Sequence, residues 1–150
     1  RDPAIYRMLL GSRLEYRCLY SGAVPRELEV VAPHLVELPP GHRLAQQWLD
    51  DGLGRSWGVA LHTADPANLR HQLRKLLKVR GPDGRKLLFR WYDPRVLRAF
   101  LPTADAVQMA GFFGDITAWI CEDAGGDLLE FRRDPRGALQ RRRVAAPVLS

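Results

Sequence analysis

Apolar positions recur along this chain with two periods, and the clearest run is helical. Leu69, Leu73, Leu76 and Leu77 stand at i, i+4, i+7 and i+8, one buried stripe, while Arg70, Arg74, Lys75 and Lys78 occupy the remaining surface. Asp65-Pro66 opens that helix. Asp93-Pro94 opens another, carried by Val96, Leu97, Phe100 and Leu101 and stopped at Pro102, since an aspartate caps and a proline suits the first turn. A third spans Asp105 to Phe112 and ends near Gly114. Upstream, Pro3 to Leu10 reads as a helix with Asp2 as its cap, and Pro25 to Val31 as a short one halted before Pro33. Leu44, Trp48 and Leu49 share a helical face terminated by Gly52 and Gly54. Alternation or short apolar runs predict strands over Arg17 to Tyr20, His34 to Leu38, Ser56 to His62 and Lys86 to Tyr92. Ile116 to Glu122 and Asp127 to Arg132 form a hairpin across Ala124-Gly125-Gly126. Helices and strands alternate and a hairpin closes the chain. The expected fold is one α/β domain, a mixed β-sheet covered by helices with a C-terminal β-hairpin.

Composition changes little, but charge changes the question. The 150 residues carry 23 Lys+Arg against 17 Asp+Glu, a net of +6. Such a balance suggests nucleic acid, an acidic lipid surface or an acidic protein as partner. Residues 132–150, however, hold six arginines (132, 133, 136, 141, 142 and 143) and one acid, Asp134, a net of +5. The remaining 131 residues are almost neutral. The sequence therefore divides into a domain over 1–131 and an arginine-rich tail, or the start of a further region, over 132–150. A block of like charge is expected to be solvated. No apolar run reaches the ~20 residues of a membrane-spanning helix, and no signal-peptide pattern follows Arg1. Cys18 and Cys121 lie far apart in apolar runs and read as two buried thiols, which suits a reducing cytoplasm.

Signatures of chemistry are sparse. The sequence lacks G-x-S-x-G, a phosphate-cradling G-x-x-x-x-G-K-[ST] and H-E-x-x-H. Gly52 to Gly58 is glycine-rich but follows a helix and precedes a strand, the reverse of a dinucleotide-binding turn. His34, His42, His62 and His71 show no metal-ligand spacing, and neither cysteine has a C-x-x-C partner, so no metal and no cofactor are expected. Alternation over Leu88 to Asp93 puts Arg90 opposite Phe89 and Trp91, where it needs a carboxylate such as Asp93. The basic face of the long helix and the arginine tail could both meet phosphate, yet no recognisable nucleic-acid module accompanies them.

Leu87 to Leu97, with Arg90, Trp91, Tyr92, Asp93, Pro94 and Arg95 at its centre, resembles the signature LFRFYDPRVL of the effector chaperones of bacterial type VI secretion, the Tap or TEC adaptors. Further blocks follow the family's order across residues 1–131: Ala32 to Leu38, Gly54 to Gly58, Asp83-Gly84, Phe100 to Pro102, Phe112 to Gly114 and the Trp119 strand. The short apolar strand that family members carry just before the position of Arg1 is not part of this sequence, so a sheet edge is expected either to be missing or to lie in residues outside it. The variable C-terminal region of many members is represented only by the arginine-rich segment. The resemblance implies a cytoplasmic, non-enzymatic adaptor that binds a toxic effector, through the effector's N-terminal region, and helps mount it on the VgrG spike protein. It marks Trp57, Gly58, Arg90, Tyr92, Asp93, Pro94 and Arg95 as structural or partner-binding positions. Arg70, Arg74, Lys75 and Lys78 are the expected partner-contact face. A basic nucleic-acid-binding module using the arginine tail is the competing expectation.

Overall fold

A computed structural model describes residues 3–20 and 22–144; the expected cap Asp2 lies outside them. The chain opens with α1 (Pro3–Ser12), β1 (Tyr16–Cys18), α2 (Arg26–Val31), β2 (His34–Val36) and α3 (Arg43–Gln47), which runs on as a π-helical turn over Trp48–Gly52. Then come β3 (Ala60–Thr63), α4 (Pro66–Leu76), β4 (Lys78–Arg80), β5 (Lys86–Leu88) and α5 (Pro94–Phe100), the last tightening into a 3-10 turn. The chain closes with α6 (Ala106–Phe113), β6 (Ile116–Glu122), β7 (Leu128–Arg133) and β8 (Leu139–Val144). Every described strand pair is antiparallel. β3-β6-β7-β8 form one sheet, while β1-β2 and β4-β5 are separate ribbons. This is the α/β single domain with helices over a sheet and a C-terminal hairpin.

The helices stand where the apolar stripes put them, although the Asp65 side chain makes no capping bond at the start of α4. Asp105 accepts the Gln108 N–H at 2.8 Å and the Gln108 side chain accepts the Asp105 N–H at 2.9 Å, a reciprocal capping box that starts α6. Gly114 ends it with a positive φ of 49°, and a Cβ there would stand 2.5 Å from the Gln72 amide. Leu69, Leu73 and Leu77 of the stripe are buried and Leu76 is partly so, in one cluster with Leu97 of α5 and Met109, Phe112 and Phe113 of α6. The far wall is the sheet. Phe112 stacks on Trp119 with centroids 4.6 Å apart, and Trp119 meets Trp91 edge-on at 5.4 Å. Full burial of such rings removes on the order of 150–250 Å² each from water, the largest single contribution to this core.

Strands differ from the pattern more than helices do. The run expected over Lys86 to Tyr92 stops at Leu88. The Phe89 N–H donates instead to the Leu77 carbonyl at 2.7 Å, turning the chain back to the end of α4. Its ribbon partner β4 was not expected, and it takes Lys78 off the helix. The strand expected from Ser56 begins only at Ala60, since Ser56 has a positive φ of 55° that no strand tolerates.

The arginine-rich segment is a strand rather than a solvated tail. β7 itself runs past residue 131 to Arg133, and β8 pairs with it from Leu128↔Val144 to Arg133↔Leu139. Its charges meet acids on the preceding hairpin. Arg132 and Arg142 donate to the buried Glu130 carboxylate at 2.7 and 2.9 Å, and Arg143 bonds to Asp127 and sits 3.5 Å from Asp123. Burial pushes the Glu130 carboxyl upward, but the two guanidinium hydrogen bonds outweigh it and hold the group below its ordinary 4.5. A depressed folded pKa adds stability that is complete above the unfolded value and is lost as pH falls through the folded one. Glu130→Gln should lower stability by about 1–2 kcal/mol at pH 7. Its loss of melting temperature between pH 5 and pH 3 should be shallower than that of the parent chain. Thermal unfolding followed by circular dichroism across that range measures both.

Candidate functional site

The glycine-rich stretch 52–58 has no strand partner, so something else must satisfy its backbone. Glu122, the last residue of β6, supplies it. One carboxylate oxygen accepts the Ser56 N–H at 2.7 Å and the other accepts the Gly54 N–H, while Arg98 of α5 donates to the Glu122 carbonyl at 2.6 Å. A buried acid at the end of an apolar strand is costly unless hydrogen-bonded, and here the loop provides the donors. The arrangement requires Gly54 and Ser56 at φ of 85° and 55°. Gly52 is fixed by contact: a Cβ there would stand 2.7 Å from both Trp48 and Trp57. Trp57 is thereby seated against the π-helical turn, with the Arg55 guanidinium 6.0 Å from its ring centroid.

The second motif stretch is a turn followed by a cap. The Asp93 N–H donates to the Arg90 carbonyl at 3.0 Å, and the Asp93 carboxylate accepts the Arg95 N–H at 2.9 Å, capping α5, whose first residue Pro94 is buried. Arg95 closes back on the same carboxylate through Nε at 3.0 Å and Nη2 at 2.7 Å. Partial burial pushes the Asp93 carboxyl upward, and the bonds from Arg95 outweigh it and hold the group below its usual range. The expected pairing of Asp93 with Arg90 is therefore replaced. Arg95 takes the carboxylate, and Arg90 lies exposed after the strand has ended.

These two stretches meet at a cleft of about 490 Å³. Its rims are residues 32–38 and residues 57–63, each unbroken. Consecutive residues of a strand line one space only along its edge, because its faces are shared by alternate residues. β2 has β1 alone as partner and β3 has β6 alone, so two open strand edges flank the cleft among the described residues. Tyr6 and Leu9 of α1 line it, as do Leu69 and Leu73 of α4 with Trp91 and Tyr92. Tyr6, Tyr16 and His34 form a ring cluster with centroids 5.4–6.1 Å apart that ties α1 to the β1-β2 ribbon.

Of the motif positions, Trp57, Gly58 and Tyr92 come together on this cleft; Asp93, Pro94 and Arg95 build the helix start beside it. The basic set does not form one face. Arg70 donates to the Cys18 carbonyl at 2.9 Å and is half-buried, as is Arg74, while Lys75 is exposed on α4 and Lys78 stands on β4. Sequence reasoning missed Glu122, and it placed Trp91 in the motif block without assigning it to the site. The signal for Glu122 was a single acid within an otherwise apolar strand. Both cysteines are free thiols; Cys121 is buried, which pushes its thiol up to about 12, whereas Cys18 is half-buried. Among the described residues no group of three or more His, Cys, Asp or Glu could hold a metal ion. No helix there is long and apolar enough to cross a membrane.

The fold and site define a small α/β domain whose motif residues shape an apolar cleft and cap the helix beside it. A family model described as a domain of unknown function, DUF4123, matches residues 1–110, and the chain belongs to that family. No curated protein and no solved structure matches the chain.

Glu122→Ala removes two hydrogen bonds to a buried carboxylate and should cost about 2–3 kcal/mol. It should also make the amides of Gly54 and Ser56 exchange with deuterium at least tenfold faster relative to those of α6. Asp93→Ala should cost about 1 kcal/mol through loss of the cap, and Asp93→Asn less than half of that. Urea denaturation of the three variants checks these magnitudes.

Proposed function

We propose that this domain is a non-catalytic adaptor that binds a toxic effector of a bacterial type VI secretion system in the cytoplasm and promotes its loading onto the VgrG spike. The observation that carries this reading is the convergence of Trp57, Gly58 and Tyr92 on an apolar cleft between two open strand edges. Membership of the DUF4123 family over residues 1–110 and the ordered sequence blocks around Leu87 to Leu97 support it. An extended segment from the N-terminal region of the effector suits such a cleft. Backbone groups of β2 and β3 would pair with it on either side, and alternate apolar side chains would meet the aromatic lining. A nucleic-acid partner is disfavoured by the arginines of the C-terminal segment, since Arg132, Arg142 and Arg143 already meet acids of their own sheet.

Gly58 offers a direct test. A Cβ added there meets nothing within 4 Å, so a larger side chain can enter the cleft without displacing the core. Gly58→Trp should leave the melting temperature within a few degrees of the parent. The variant should capture at least tenfold less effector when co-expressed with the toxin encoded beside it. Equal capture by parent and variant rejects the cleft as the docking site. Failure of the parent chain to retain the toxin through size exclusion, with delivery unaffected by its deletion, rejects the adaptor reading itself.

A further inference from the structure

The β4-β5 ribbon presents a second surface, separate from the cleft. Val79, Leu87 and Leu88 are 41%, 49% and 46% exposed, among few large apolar side chains left so open on the described surface. Val79 and Leu87 are cross-strand partners and so share one face, and Leu88 lies opposite Lys78 on the other. Around them stand Lys78, Arg80, Arg85, Lys86 and Arg90, all exposed, against the single acid Asp83. Only Arg85 has that acid as a partner, at 3.4 Å, while Arg80 donates to the Gly84 carbonyl. Arg80 and Lys86, also cross-strand partners, share the face of Lys78 and Leu88, so three cations border Leu88 on one face while Val79 and Leu87 stand on the other, and among the described residues none of the three has an ion pair. The ribbon is built to hold this shape: the Gly81 N–H donates to the Arg85 carbonyl at 2.9 Å, and Gly84 turns the chain at a φ of 79°.

Exposed aliphatic groups rimmed by charge mark a binding surface, and the sign of the rim selects the occupant. A second copy of this surface would bring like charges together. An anionic membrane calls for apolar groups at the ribbon's tip, yet the tip is Gly81-Pro82-Asp83-Gly84, with an acid at its crest and the leucines at the base. Nucleic acid would meet the cations but would leave three aliphatic side chains unsatisfied, since bases stack on aromatic rings. We propose that the β4-β5 ribbon docks an acidic, leucine-bearing segment of a partner protein. Lying extended along the open edge of the ribbon, with side chains alternating between its two faces, the segment would set its carboxylates against Lys78, Arg80 and Lys86 on one face and its aliphatic side chains over Val79 and Leu87 on the other.

Fluorescence anisotropy with the full chain tests this using a labelled twelve-residue peptide of alternating glutamate and leucine. Three comparison probes are a glutamate–serine peptide, phosphatidylserine vesicles and a 20-nucleotide single-stranded DNA. The glutamate–leucine peptide should bind, and the glutamate–serine peptide should bind at least tenfold more weakly. Leu87→Ser with Leu88→Ser, and separately Lys78→Glu with Lys86→Glu, should each weaken the glutamate–leucine peptide at least tenfold. All four positions are exposed, so both variants should keep the parent melting temperature; the two-peptide comparison stands even if one does not. Absence of peptide binding, binding unchanged in both variants, or ribbon-dependent binding of the vesicles or the DNA in preference to the peptide overturns the proposal. Because the cleft plays no part, Gly58→Trp should leave this binding intact, which separates its failure from that of the adaptor reading.

Discussion

The carboxylate of Glu122 is where the two halves of this domain are joined. It ends the most completely buried strand of the sheet, and it accepts the amide hydrogens of a loop 66 and 68 residues earlier in the chain. Without those acceptors the loop would expose donors beside buried surface, and Trp57 would lose the backbone that seats it. One rim of the cleft follows from this attachment, through the seat of Trp57 on Gly52 and the open approach at Gly58. One buried acid thus does the positioning that a network of side chains does in larger domains. Its own burial is tolerable because the donors it meets are main-chain groups with no other partner.

Charge is organised by the same logic. The net positive balance invited a search for phosphate, but three of the six C-terminal arginines, Arg132, Arg142 and Arg143, meet carboxylates of the β6-β7 hairpin. Glu130, enclosed beneath Arg132 and Arg142, shows the balance of terms: an acid in a sheet is unfavourable alone and acceptable under two guanidinium groups. On the β4-β5 ribbon, by contrast, cations without an acid partner stand beside aliphatic side chains that are also left uncovered. Where positive charge is unmatched therefore says more than its total.

What could be read from the sequence was what is decided within a few residues. Asp93-Pro94, the short helix from Asp105 and the leucine stripe of α4 are fixed locally, and the structure keeps all three. Strand ends were misread where a distant group took over: Phe89 leaves its alternating run because the Leu77 carbonyl is within reach, and Ser56 departs from strand geometry because Glu122 holds the loop. The arginine segment was taken for a solvated block because its partners, Glu130, Asp123 and Asp127, precede the turn and no local rule connects them. Of the candidate site, the aromatic positions were legible through their motif blocks. The cleft they share was not, since it arises only when β2 and β3 are set edge to edge by long-range contacts.

The wide sequence separation of Glu122 from its loop has a kinetic side. The three-strand meander of β6, β7 and β8 closes short turns, whereas the attachment of residues 54 and 56 closes a span more than sixty residues long. Chain entropy opposes the longer closure more strongly, although only logarithmically. That difference favours early formation of the meander and later completion of the cleft. By that ordering the cleft is also the part that opens most readily when the domain breathes, without unfolding the sheet that anchors it.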